Sequence, residues 1–377
     1  MGRFQFRYEN VLQLLSKASF LLLLTALLGF SLVHADVRGI EVWQPEPGGP
    51  KLLIPSLEGV APDAWIRIYL SAFSAQPDYR RLNGGVDLTL GPRVSPSRSP
   101  IAPFKPSSGE TPFVVLANRP GHMKGEDPFL KSVLGSLDRA GAEPYVLPLG
   151  LETVLPEREL EQFHRRVVDA FPGMLAIGGG DIDPAIYGDS VNGAREVLPT
   201  RDRVEAALIQ RYNRSERGMF YGICRGSQLC AATMGFRLDQ DLPTSQPNSR
   251  VAHAVGTDGA RDAAHLSEWH PIVISEDSVF LGPTVGRSRI EVNSRHHQAV
   301  KEAESPELRV VARAEDGTIE AMEFTNTRGV LFQFHPEDMG TEDATRILRA
   351  MVHTAKERED TRVASCLRNA HSQLLRR

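Results

Sequence analysis

From Thr111 the chain falls into a rhythm of short apolar runs and stretches where apolar residues recur at helical spacing. "PFVVLAN" reads as a β-strand, and Leu130, Val133, Leu134 and Leu137 then recur at the spacing of one helix face, with Gly141 as the stop. "PYVLPL" predicts a second strand, and residues 157–169 a charged amphipathic helix on Leu160, Phe163 and Val167. "MLAIGG" is a third strand. Asp202 and Glu205 resemble a capping box, followed by Val204, Ala207, Leu208 and Tyr212 on one face. "MFYGIC" is a fourth strand and "SQLCAATMG" a helix after it. Such alternation predicts an α/β fold, doubly wound around a mostly parallel sheet with helices on both faces. Later runs ("PIVIS", "LRVVARA", "IEAMEF", "GVLFQF") have fewer helices between them, and "AEDGTI" reads as a hairpin turn, so the C-terminal half should add antiparallel strands. Residues 341–356 read as the last helix and the basic tail, 361–377, as frayed.

The pattern before Thr111 is different. Residues 18–33 carry no charge, follow Arg3, Arg7 and Lys17, and lead to Val33–His34–Ala35, with small residues where a signal peptidase needs them. Two readings fit this segment: a secretory signal cleaved after Ala35, giving an exported protein, or a retained anchor. The uncharged stretch is short for a span, which needs roughly 20 apolar residues. Residues 36–110 read as an N-terminal extension with thin apolar content, in which "AWIRIYLSAF" is a strand or short helix and the Pro/Ser-rich residues 90–110 a linker. The main domain is expected over 111–360.

Composition narrows the classes. With 377 residues and a hydrophobic fraction of 41%, the chain is ordinary globular protein. A net charge of -4 gives no reason to expect nucleic acid as a partner. Three cysteines are too few for a disulfide scaffold.

One of those cysteines stands in "YGICRGSQ", two residues from a glycine on either side. The G-x-C-x-G spacing is that of a nucleophile elbow, where residues two before and two after the nucleophile approach too closely for side chains. The helix that follows would favour the thiolate of Cys224, and the N–H of Arg225 would face a developing oxyanion. The competing reading is an inert core cysteine, which is also how Cys230 reads. "GVLFQFHPED" ends a strand on His335 with Glu337 two residues on, a base and a carboxylate able to orient it, or simply a surface turn. "AIGGGDIDP" ends another strand on glycines that expose backbone N–H groups, or form a flexible turn. The three strand ends in this order are far less expected by chance than any one.

On these pieces, together with "RDRVEAALI", "VNSRHHQAV" and "EDGTIEAMEF", the chain resembles the class I glutamine amidotransferase-like hydrolases, and among them the gamma-glutamyl-gamma-aminobutyrate hydrolase family of cysteine peptidases. The resemblance covers about 111–355. It implies a flavodoxin-like fold and hydrolysis of gamma-glutamyl amides by a triad of Cys224, His335 and Glu337. It further implies an oxyanion hole from the N–H groups of Gly179 and Arg225, and Gln228, Asn293, Ser294 and His297 near the substrate. No cofactor is implied. The pair His296–His297 reads as structural or solvent-facing, and no metal-ligand cluster is evident. The expected partner is a small gamma-glutamyl compound, with membrane contact only through a retained N-terminal segment and a homodimer as one assembly open to the chain. The export signal and the extension lie outside the family core. An ammonia-supplying amidotransferase and a non-catalytic binder on the same fold are the rival functions.

Overall fold

The computed structural model describes residues 37–44, 48–59, 80–81, 101–107, 109–118, 127–153, 155–254, 268–301 and 305–374. The signal or anchor segment, 1–35, and the "AWIRIYLSAF" stretch lie outside them.

Five apolar runs form the parallel centre of the sheet. In chain order, after β1 (Val37–Trp43), β2 (Leu52–Leu57), β3 (Arg80–Arg81) and β4 (Ile101–Pro103), come β5 (Thr111–Ala117), β6 (Ala142–Pro148), β7 (Gly173–Ala176), β8 (Glu196–Val197) and β9 (Met219–Ile223). Then follow β10 (Leu238–Asp239), β11 (Glu268–Ile274), β12 (Arg289–Ser294), β13 (Ala299–Val300), β14 (Leu308–Ala314), β15 (Ile319–Phe324) and β16 (Gly329–Phe332). β5, β6, β7, β9 and β16 pair in parallel, side by side as β6-β5-β7-β9-β16. That is the flavodoxin-like order 2-1-3-4-5. Every residue of β7, β9 and β16 is buried, as it must be where helices cover both faces. Beyond β16, β15, β14, β11 and β12 continue the sheet with antiparallel pairings. The C-terminal half therefore carries the antiparallel strands its sparse helices predict.

The helices follow the apolar periodicity. α1 (Asp127–Arg139) buries Leu130, Val133 and Leu137, and Gly141 breaks away behind it at φ 94°. α2 (Glu157–Ala170) buries Phe163 and Val167. α3 (Pro199–Ser215) and α4 (Arg225–Thr233) follow, and α5 (Glu342–Leu374) packs beside α1.

Three features differ from the sequence expectations. The stretch read as an extension supplies β1, β2 and β4 to the main sheet: β2 runs parallel beside β6, β1 antiparallel beside β2, and β4 on β1. Few apolar residues suffice, because Trp43, Leu53 and Ile54 are wholly buried and Phe104, inside the Pro/Ser-rich run, packs on Tyr145 and Phe171. The last helix does not end near residue 356. Past its apolar stripe the helix runs on to Leu374, its first added turns carrying charge pairs, Lys356 with Asp360 at 2.5 Å and Arg362 with Glu359 at 2.8 Å, which hydrophobic periodicity does not register. And α3 starts at Pro199, a residue preset for a first helical turn, so Asp202 and Glu205 are not its cap.

Candidate active site

The carboxyl ends of β7, β9 and β16 bring the expected residues together. Cys224 follows β9 with φ 49° and ψ −109°, a backbone conformation few L residues adopt. Its N–H donates to Phe332 O at 2.7 Å, and its carbonyl accepts the first bond of α4 from Gln228 N at 3.0 Å. The flanking glycines are required by space. A Cβ on Gly222 would lie 2.8 Å from Gly226 C, and one on Gly226 would lie 2.1 Å from Ala176 O on the neighbouring strand. The second clash adds a reason the sequence did not reveal: α4 starts pressed against β7.

His335 stands past the end of β16. Its Nδ1 lies 2.7 Å from Glu337 Oε1, both groups buried. Asn293, on β12, grips the histidine backbone from the other side, accepting from His335 N at 2.9 Å and donating to His335 O at 3.0 Å. The ring stacks on Phe129 of α1, centroids 5.8 Å apart, and Ser132 and Ser136 of α1 donate to Glu337 O at 3.0 and 3.2 Å. Arg295 lies over the Phe129 ring and pairs with Asp338 at 2.6 Å. Asp338 is thus engaged elsewhere, and Glu337 alone of the two acids holds the imidazole. Burial works against a charged His335, yet the negative charges of Glu337 and Cys224 more than offset it and raise its pKa to about 9. Gly178 lies against both groups. A Cβ there would sit 3.0 Å from His335 Cε1 and 3.7 Å from Cys224 Cβ, so both side chains border this glycine loop, in which Gly179 is the next residue.

The remaining expected residues lie around this centre with partners of their own. Gln228 is buried and donates from one nitrogen to Gln298 O at 3.0 Å and Gln333 Oε1 at 3.1 Å, while Gln333 Nε2 reaches Cys224 Sγ at 3.6 Å. Its amide protons are spent inside the protein, bracing the floor under the cysteine. Ser294 Oγ donates to His253 O at 2.9 Å. His297 sits between two carboxylates, Nε2 at 3.0 Å from Asp181 and Nδ1 at 3.1 Å from Asp241. Burial opposes its charge, but Asp181 more than compensates and raises its pKa. Arg225 offers its N–H at the start of α4, and its side chain turns inward to Asp202 and Glu205, each at 2.5 Å, with Arg201 on Glu205 at 2.8 Å. All four are essentially sealed from solvent. This charged knot fixes the first turn of α4 to α3, and it accounts for the polar residues that resemble a cap in the sequence.

Sequence reasoning passed over Gln333, which follows the last residue of β16 and stands two residues before His335. It also passed over Phe129, whose contact spans the fold. A cluster of His253, His270, His296 and Glu320 was hidden for the same reason: nothing in the spacing marks it.

A flavodoxin-like sheet with a cysteine elbow on its fourth parallel strand and a histidine–glutamate pair on its fifth defines a class I glutamine amidotransferase-like domain. Within that class the chain belongs to the Peptidase C26 family, whose profile matches residues 139–337. It is similar to the gamma-glutamyl-gamma-aminobutyrate hydrolase PuuD of Escherichia coli (strain K12), 30% identical over 219 residues, 57% of this chain and 81% of that one. It is similar to the protein NtpR of Enterococcus hirae, 33% identical over 175 residues, 45% of this chain and 68% of the other. A glutamine amidotransferase-like protein of Lactococcus lactis, YvdE, is 33% identical over 165 residues, 44% of this chain; the match spans 65% of that relative's length.

Proposed function

We propose that the chain hydrolyses gamma-glutamyl amide bonds through Cys224, His335 and Glu337. The observation that carries this reading is the strained Cys224 at the end of β9, bordering the same glycine, Gly178, as a His335 that Glu337 holds at 2.7 Å. A cysteine is held at positive φ, at a cost of roughly 1–3 kcal/mol, only where the surroundings enforce it.

In the reaction, Cys224 Sγ attacks the side-chain carbonyl of the glutamyl group and a C–S bond forms. The oxyanion accepts hydrogen bonds from the backbone N–H groups of Arg225 and Gly179. His335 passes its proton to the leaving nitrogen as the C–N bond breaks, leaving a glutamyl thioester and a free amine. Water then loses a proton to His335 and attacks the thioester, and the C–S bond breaks to release glutamate. Glu337 stays ionised, orienting the ring and offsetting its charge in both halves. The net change is amide plus water to acid plus amine, with every proton carried by His335. If the N-terminal segment exports the chain, the substrate is an extracytoplasmic gamma-glutamyl peptide.

Initial rates on gamma-glutamyl-p-nitroanilide, glutamine and a casein digest test the reading. Turnover of the anilide with little on the other two supports it. Ammonia release from glutamine alone would indicate the amidotransferase reading, and no turnover of any would indicate a binder.

A further inference from the structure

Four buried side chains away from the cysteine face one another with no hydrogen bond between them. His270 comes from β11, His296 from the turn after β12, Glu320 from β15 and His253 from the segment before β11. They are 4%, 4%, 0% and 6% exposed. Their inward atoms, one from each residue, all lie within 4.8 Å of one another. Glu320 Oε1 is 3.4 Å from His253 Nδ1 and 3.5 Å from the Nε2 atoms of both His270 and His296. None of these inward atoms, nor Glu320 Oε2, makes a hydrogen bond among the described residues.

The outward ring nitrogens explain why. His253 Nε2 faces Asp316 Oδ2 at 3.0 Å, His296 Nδ1 faces Gln298 O at 3.0 Å, and His270 Nδ1 faces Pro271 O at 3.4 Å. All three partners only accept, so each outward nitrogen carries the ring's proton. In the neutral rings the inward nitrogens then present lone pairs. Three lone pairs and a carboxylate converge in a space sealed from water, where unmatched acceptors are costly. A cation satisfies all four at once.

We propose that His253, His270, His296 and Glu320 form a structural site for a divalent transition metal, Zn²⁺ by its donor set. Three imidazoles and one carboxylate suit Zn²⁺ rather than Ca²⁺ or Mg²⁺, which take oxygen ligands. The geometry agrees. Bonds of roughly 2.1 Å in a tetrahedron put donor atoms about 3.4 Å apart, the spacing already present along the three edges that meet at Glu320. The wider edges close by a small shift of the rings. Asp316 on His253, and backbone carbonyls on the other two, are the outer partners that orient metal-bound histidines. With four protein ligands no position is left for water, so the ion holds structure and performs no chemistry.

What it would hold are the segments that pack beside Cys224 and His335. The site joins four segments distant in sequence. His296 N donates to His253 O at 2.7 Å, and Gln333 N to Glu320 O at 2.9 Å. Gln298 O, which accepts from His296, also accepts from Gln228 under Cys224. The turn that carries His296 also carries His297, and Asn293 precedes it on β12.

The test is metal analysis by plasma mass spectrometry on the full chain, purified without a polyhistidine tag or chelator, together with Glu320→Gln and His296→Ala. About one Zn²⁺ per chain is expected, falling at least tenfold in both variants. Two measurements on the unmutated chain guard against misfolded variants. Dipicolinate should strip the metal and lower Tm, with Zn²⁺ restoring both. Co²⁺ added to the stripped chain should give the intense visible bands of a tetrahedral site. A chain that stays below a tenth of an equivalent after dialysis against Zn²⁺ and Co²⁺, with Tm indifferent to chelator, would overturn the proposal and leave protons as what balances the cluster. These readouts are independent of hydrolysis, so they stand or fall apart from the proposed activity.

Discussion

Asn293 and His335 are locked to each other across the sheet by a reciprocal pair: Asn293 Oδ1 accepts the His335 N–H at 2.9 Å and Asn293 Nδ2 donates to the His335 carbonyl at 3.0 Å. One side chain thus satisfies both backbone groups of a buried histidine and fixes the direction in which its ring leaves the chain. Leaving such groups unpaired costs about 1–3 kcal/mol each. Asn293→Ala should therefore lower kcat for a gamma-glutamyl anilide by about tenfold or more while KM changes little, because the ring loses its aim rather than the substrate a contact. A KM rise with unchanged kcat would instead return Asn293 to the substrate-contact role that the family resemblance implies.

The strain at Cys224 has a measurable counterpart. Cys224→Ala abolishes hydrolysis but keeps a Cβ at φ 49°. Cys224→Gly also abolishes it and removes the strain, so the glycine variant should be more stable than the alanine one by about 1 kcal/mol. Denaturant unfolding of the pair measures this, and an alanine variant equal or superior in stability would show the turn to be unstrained. Iodoacetamide supplies a second check. Cys230 is wholly buried, and burial pushes its thiol far up, whereas Cys366 is exposed. Cys224 should be modified first even so, because a thiolate and not an accessible thiol is the nucleophile. Faster labelling of Cys366 would contradict an activated cysteine.

His335 predicts how the protein answers to pH. Its pKa in the fold is about 9, above the ordinary imidazole value of 6.5. A folded state that binds the proton more tightly than the unfolded one is stabilised by it, fully so below about pH 6.5, and the contribution is lost as pH rises through about 9. The same proton goes to the leaving amine, so kcat/KM should fall over the same alkaline range. Glu337→Gln removes a charge that holds the proton, and should move the alkaline limb to lower pH. A limb that stays in place would mean that Glu337 does not govern His335.

The N-terminal segment yields a separate expectation from its sequence alone. Cleavage after Ala35 leaves a mature chain beginning near Asp36. N-terminal sequencing of protein from native cells reads this directly. An intact Met1 form in the membrane fraction would favour the anchor, and one in the soluble cytoplasm would refute both.

Much of the site was legible because its chemistry sits at strand ends, where local sequence announces it. Gly222, Gly226 and the apolar run before Cys224 specify a turn within eight residues, and His335 and Glu337 are two apart. What stayed hidden depends on contacts between distant segments. Asp202 and Glu205 carry the residue types of a helix cap, and only the approach of α4 shows that they serve Arg225. Trp43 closes an apolar strand and Phe104 sits in a Pro/Ser-rich run, but that they join three extra strands to the main sheet shows only in contacts with distant residues such as Tyr145 and Phe171. The histidines around Glu320 lack any motif spacing, because four separate segments supply one side chain each.

The pair His335 and Glu337 bears the most decisive test of the proposed mechanism. His335 acts twice, first as the acid toward the leaving amine and then as the base toward water. Glu337, at 2.7 Å, only orients the ring and offsets its charge. General acid–base participation contributes about 10²–10⁴-fold, so His335→Ala should lower kcat/KM by at least that range. Glu337→Gln keeps the shape and a hydrogen bond but not the charge, and should cost less. Since the carboxylate works solely through the imidazole, it has nothing left to support once the ring is gone. The double variant should be no worse than His335→Ala within about twofold, the non-additivity of groups that act as one unit. Initial rates for the two single variants and the double decide it. Losses that multiply, or a Glu337→Gln equal to the unmutated chain, would remove Glu337 from this role. Asp338 would not inherit it readily, since Arg295 and Ser132 already hold that carboxylate.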